Sequence, residues 1–143
     1  MVRFRGFTLV ELMIALALCL LSAGMGLRHL SRAVEVWRLQ TAAQMVSSEL
    51  TRLRAAAVST GAPIRFVVRP SADAYSSAEP GQSPPQFTPL PRGIRFCSIP
   101  SRPVTFYSRG QAAPAGTFLL EGSRGRVRVV VAPMGRVRWQ WED

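Results

Sequence analysis

Residues 7–27 read FTLVELMIALALCLLSAGMGL, 21 residues whose only charged side chain is Glu11. As an α-helix a run of this length is about 30 Å long, enough to cross the hydrocarbon core of a bilayer. The chain then runs from Arg28 to Thr60 without Gly or Pro, and Leu39, Ala43, Val46, Leu50, Leu53 and Ala57 recur in alternating steps of four and three. That spacing marks one face of a helix. Gly61 and Pro63 supply a stop, a glycine just past the helix end and a proline soon after. A single helix over Phe7–Thr60 is therefore expected, apolar all round in its first half and on one stripe in its second. Gly24 and Gly26 mark the place where it would bend or melt. A cleavable secretory signal would have a shorter apolar run followed by a small-residue cleavage site, whereas here the run continues into more helix, so the segment is read as retained. Arg3 and Arg5 precede the span while Arg28 and Arg32 follow it. The positive-inside rule then favours a cytoplasmic N-terminus, with everything after the span outside the cytoplasm.

From Ile64 the apolar period changes from helical to twofold: Ile64, Phe66 and Val68 alternate with Arg65, Val67 and Arg69, as on a half-buried strand. Residues 70–91 hold six prolines among small polar residues, which predicts a long exposed loop without regular structure for most of its length. Further strands are expected at Gly93–Ser98, Val104–Tyr107, Thr117–Glu121, Arg126–Val131 and Val137–Trp141. The last two fix their own register if they are joined by a three-residue loop of Pro133, Met134 and Gly135. Val127, Val129 and Val131 then share a face with Val137, Trp139 and Trp141, which makes both tryptophans core residues. The opposite face carries Arg126, Arg128, Arg136 and Arg138, with Glu142 opposite Arg126. A proline early and a glycine at the left-handed third position suit such a hairpin, so turn chemistry and apolar pattern agree.

The formal charge is +10, from 18 basic residues, all arginine, against 8 acids. Such a balance favours anionic partners and says nothing about fold. Cys19 lies within the apolar run and Cys97 in the distal part, too far apart in character to pair; both are expected as free thiols packed like small apolar residues. His29 has no second histidine or nearby cysteine with which to build a metal site, and it stands beside Arg28 where the span meets the interface. The serines have no histidine partner and no nucleophile motif. No catalytic centre, cofactor or metal is expected.

The segment RGFTLVEL, residues 5–12, joins a short basic leader ending in Gly6 to Phe7, Thr8 and an acid inside the apolar run. It resembles the processing signature of type IV pilins and type II secretion pseudopilins. The resemblance implies that a prepilin peptidase cuts between Gly6 and Phe7 and that Phe7 is then N-methylated. It also implies that Glu11 meets the positive amine of Phe7 on a neighbouring subunit as helices assemble into a filament at an inner-membrane platform. Burying a carboxylate in lipid costs about 2.5–3.5 kcal/mol, so it calls for such a reason; the plainer alternative is a Glu11 that reaches the interface. LPRGIRF (90–96), VTFYSRGQAAPAGTFLLE (104–121) and GRVRVVVAPMGRVRW (125–139) together resemble the GspH/FimT group of minor pseudopilins and pilins. An α+β pilin fold follows from that likeness, a long N-terminal helix packed on antiparallel sheet. The implied division is a leader at 1–6, a transmembrane segment at 7–27, the periplasmic part of the helix at 28–61 and a GspH-like sheet domain at 62–143.

Two roles remain open within the family: a minor pseudopilin of a type II secretion system near the tip of a periplasmic pseudopilus, or a minor pilin that primes a type IV pilus. The motif GRVR stands at 125–128 and again at 135–138. FimT-type pilins are thought to bind DNA through a C-terminal GRxR motif, which Arg136 and Arg138 match. Four like charges on adjoining strands repel one another, and Glu121 and Glu142 offset only part of this. The arginine face is thus a solvated polar surface, a contact for an acidic partner protein, or a salt-sensitive DNA site.

Overall fold

The computed structural model describes residues 8–78 and 86–142. Its order is α1 (Leu9–Thr60), β1 (Ile64–Val68), β2 (Ala74–Ala78), β3 (Thr88–Pro89), β4 (Arg95–Ser98), β5 (Val104–Phe106), β6 (Ala112–Ala113), β7 (Gly116–Gly122), β8 (Gly125–Val131) and β9 (Val137–Glu142). The chain divides between Val34 and Glu35 into two compact units.

In the first unit, α1 opens at Thr8, whose side-chain oxygen accepts the Glu11 N–H at 3.3 Å while its carbonyl accepts the Leu12 N–H. The large apolar side chains from Leu9 to Leu21 are all exposed. Helical backbone continues through Gly24 and Gly26, so the expected melting there does not occur. Among the described residues no helix is long and apolar enough to cross a membrane. The span expected over 7–27 lies partly outside them, at Phe7 and at the side chains of Ala23 and Met25–Leu27.

The second unit buries the six-residue stripe named by the helical spacing, every member at 1% exposure or less, and adds Ala42. Gly61 closes α1 by donating its N–H to the Ala57 carbonyl. Against the stripe pack two antiparallel sheets, ordered β3-β2-β1-β5-β6 and β4-β7-β8-β9. Phe118 of β7 joins them: its ring meets Phe66 of β1 edge-on at 5.1 Å and Phe96 of β4 at 6.1 Å. Edge-to-face pairs of this kind add to the area they bury.

The reading of 70–91 needs correction. Its first half carries β2, which pairs with β1 from Val68↔Tyr75 to Arg65↔Ala78. The prolines bracket this segment at Pro70 and Pro80 and leave 71–79 free of them. Within that window Tyr75 is buried and stacks on Phe66 at 5.5 Å, a long-range contact that pattern within the segment does not disclose. The short strands β3 and β6 were likewise not expected. Cys97 is a second correction, since it is exposed at the irregularity between Phe96 and Ser98 instead of packed. Cys19 is also free and exposed.

Candidate functional site

The C-terminal hairpin has the expected register. Arg126 lies opposite Glu142, Val129 opposite Trp139 and Val131 opposite Val137. Ala132 N–H donates to the Arg136 carbonyl and Gly135 N–H to the Ala132 carbonyl, closing a loop of Pro133, Met134 and Gly135. Gly135 has φ 73°, the left-handed conformation such a loop demands of its last residue. The turn is also braced from outside, for Pro133 accepts the Ala112 N–H and Arg54 Nε of α1 donates to Gly110 at 3.1 Å. Val127, Val129 and Val131 are fully buried and Trp139 is half-buried against them. Trp141 is 43% exposed and outside the core, contrary to expectation. Its parity is right, but β9 is a sheet edge with a neighbour on one side only.

On the other face the four arginines divide in two. Glu121 of β7 lies opposite Arg126 and also opposite Arg95 of β4. One of its carboxylate oxygens accepts from Arg126 at 2.9 Å and the other from Arg95 at 3.2 Å. The Arg126 bond, helped by that to Arg95, holds the Glu121 carboxyl below its ordinary range, and Arg126 is raised in return. Arg128 lies 3.6 Å from the Glu142 carboxylate, a diagonal pair across β8 and β9. Arg136 and Arg138 are exposed and have no hydrogen bond or ion pair among the described residues. The β7–β8 turn is tied separately, with Arg124 Nε donating to Glu35 of α1 at 2.9 Å, which lowers the Glu35 pKa.

At the helix start, Gly6 and Phe7 lie outside the described residues. Glu11 is exposed in the first turn of α1, three residues after its cap. Thr8 and Glu11 thus stand in the Thr-x-x-Glu spacing of a capping box, and an acid there complements the positive helix end. Sequence reasoning missed this local role, although the spacing was there to be read. Among the described residues no three His, Cys, Asp or Glu side chains gather as metal ligands would.

A family model for the prokaryotic N-terminal methylation motif matches residues 1–27, and one for type II transport protein GspH matches residues 42–135. The chain belongs to the GspH family. The GspH match takes in the buried helical stripe from Ala42 onward, the strands β1 to β8 and the hairpin turn. No curated protein sequence matches the chain. Among solved structures, the type IV minor pilin FimU of Pseudomonas aeruginosa is similar at 22% identity with a TM-score of 0.60, covering 76% of this chain and 91% of FimU. The minor pseudopilin EpsH from the type II secretion system of Vibrio cholerae is similar at 13% identity with a TM-score of 0.59, covering 77% and 97%. These likenesses establish a shared α+β pilin fold, helix on antiparallel sheet.

Proposed function

We propose that this chain is a minor pseudopilin of a type II secretion system, made as a precursor, cut between Gly6 and Phe7, and N-methylated at Phe7. Residues 7–27 then anchor it in the inner membrane with the N-terminus cytoplasmic, while the rest of the helix and the sheet domain lie in the periplasm. Its partners are other pseudopilins, the prepilin peptidase and the inner-membrane assembly platform, and the filament it joins drives protein export. The observation that carries this reading is the match of residues 1–27 to the methylation motif together with that of residues 42–135 to GspH. Supporting it, the first turns of α1 expose apolar side chains on every side, a surface suited to lipid or to neighbouring helices.

Glu11 meets the Phe7 amine of the next subunit in this assembly, where low dielectric strengthens the attraction. The test is disulfide or photo-crosslinking to neighbouring pseudopilins in cells. Glu11→Leu is expected to leave membrane insertion intact and to remove the crosslinks; normal crosslinking of the variant sinks the assembly role. Mass spectrometry of the mature chain should find N-methylphenylalanine at its start, and an uncut leader would defeat the processing step.

A second reading is favoured by one feature, Arg136 and Arg138 at the end of the arginine face, which have no partner among the described residues. Here the chain is a FimU-like minor pilin that primes a type IV pilus and holds DNA through these side chains. Deleting the gene separates the two: loss of exoprotein secretion with normal piliation supports the pseudopilin, and lost pili or lost DNA uptake with normal secretion supports the pilin.

A further inference from the structure

The outer face of the first sheet carries a cavity that neither reading uses. Arg65 of β1 lies opposite Thr105 of β5, which in turn lies opposite Ala113 of β6. These residues point away from the core, which takes Ile64, Phe66, Val104 and Phe106 from the same strands. Arg102 and Pro103 from the segment before β5, Tyr107 after it and Pro114 after β6 complete the lining of an open hollow of about 450 Å³. No acid lines it. Neither Arg65 nor Arg102 has a hydrogen bond or ion pair among the described residues.

The contrast with the second sheet is chemical. There Arg95, Arg126 and Arg128 meet carboxylates supplied by the fold itself. Here two arginines, a threonine and a tyrosine line a hollow whose remaining lining is proline and alanine. Guanidiniums are fork-shaped donors matched to carboxylate and phosphate oxygens. The volume is several times that of a free inorganic anion, since a water occupies about 30 Å³ in the liquid, and it lies in the range of ligand pockets. A nucleic-acid strand would need positive charge continuing along a track, whereas this lining supplies two arginines among prolines, a threonine, a tyrosine and an alanine.

We infer that this cavity is a binding site for an acidic peptide, in which Arg65 and Arg102 hold carboxylates while Pro103, Tyr107 and Pro114 flank the apolar parts of the side chains. Tyr107 adds a hydroxyl donor to the carboxylates, and Thr105, whose hydroxyl donates to the Pro103 carbonyl at 3.5 Å, turns its donor to them when they bind. The inference is independent of the assembly system the chain serves.

The test uses the full chain in neutral detergent and dye-labelled hexaglutamate, followed by fluorescence anisotropy at physiological ionic strength. The double variant Arg65→Gln, Arg102→Gln is expected to weaken binding at least tenfold, while Arg136→Gln, Arg138→Gln changes it less than twofold. Both replaced pairs are exposed, and matching far-ultraviolet circular dichroism will show that each variant is folded. Equal losses in the two variants would mean attraction by net charge alone and overturn the site, as would no binding by the parent chain. Displacement by inorganic phosphate, or by a single-stranded oligonucleotide at matched ionic strength, would also overturn it in favour of an unselective anion site. Thr105→Ala with Tyr107→Phe serves as a milder second variant, expected to lose affinity about threefold; full affinity there and in the arginine variant together removes the proposal.

Discussion

The motif GRVR occurs twice between residues 125 and 138, once at the start of β8 and once leading into β9, and the two copies differ in everything but sequence. In the first, at 125–128, Arg126 and Arg128 are each held by a glutamate, and Gly125 follows a two-residue turn with only Trp141 close to where a side chain would start. In the second, at 135–138, both arginines are unpartnered among the described residues, and Gly135 is wedged against the Gly110 carbonyl and Arg54. A short motif therefore does not define a site by itself. What distinguishes the copies is which strands flank them: β8 lies between β7 and β9, each of which brings an acid, whereas β9 is an edge. The first copy is electrostatically satisfied within the fold, and the second has its charge to offer to something else.

The largest difference between the copies should appear in stability, through their glycines. A Cβ on Gly135 would come to 2.0 Å from the Gly110 carbonyl, with Arg54 also too close, at a φ that side chains rarely adopt. Gly135→Ala is expected to cost about 3 kcal/mol or more, from backbone strain and the forced displacement of the Gly110 loop. At Gly125 the nearest atom to an added Cβ is on Trp141 at 3.9 Å. Only the backbone penalty remains, about 1 kcal/mol at φ 155°. Thermal unfolding of both variants checks this, and equal losses would show that the turn is not braced as described.

The arginines give the next contrast, and it bears directly on the second functional reading. If the protein binds double-stranded DNA, Arg136→Gln with Arg138→Gln should lower affinity by about tenfold or more and flatten the salt dependence by roughly two phosphate contacts. Arg126→Gln with Arg128→Gln should cost less than about threefold, because those guanidiniums are already engaged by carboxylates. Filter binding across a salt series measures both. Equal effects would erase the distinction between the copies, and no binding by the parent chain at physiological salt would leave the arginine face to protein or solvent.

How far sequence could anticipate this depends on the range of the interaction. The helical stripe from Leu39 to Ala57 and the hairpin register were legible because each is written in a local period, and the turn residues Pro133 and Gly135 removed the ambiguity of one-residue slips. Strand β2 was hidden because its burial rests on Tyr75 meeting Phe66, and the prolines at either end dominated the local pattern. Parity correctly put Trp141 on the inner face, but parity cannot say that an edge strand runs past its cover. The register placed Glu142 opposite Arg126, yet the carboxylate turns to Arg128. Arg126 is engaged by Glu121, and the Glu121 site was only partly foreseen because Arg95 comes from β4, a strand distant in sequence.

The smallest expected effect is also the one that would bring the first copy nearer to the second. Arg126 first and Arg95 second hold the Glu121 carboxyl below its ordinary value of 4.5. A carboxylate depressed on folding contributes stability that is present in full above the unfolded value and is lost as pH falls through the folded one. The advantage of the parent chain over Glu121→Gln should therefore be flat from pH 7 to about 5 and should close below about 4.5 as Glu121 takes up its proton. The gap is small because Arg126 and Arg95 are more than half exposed, and salt should narrow it further. Melting temperatures of both proteins across that range decide the matter. A gap that widened in acid would mean that Glu121 is not paired in the folded state. Once Glu121 is protonated, Arg126 and Arg95 lose its charge and the first copy gains one uncompensated arginine, Arg126, while Arg128 keeps Glu142. Anion binding by Arg126 should therefore emerge in acid as its stabilising pair is lost, and Glu121→Gln should show that binding at neutral pH already.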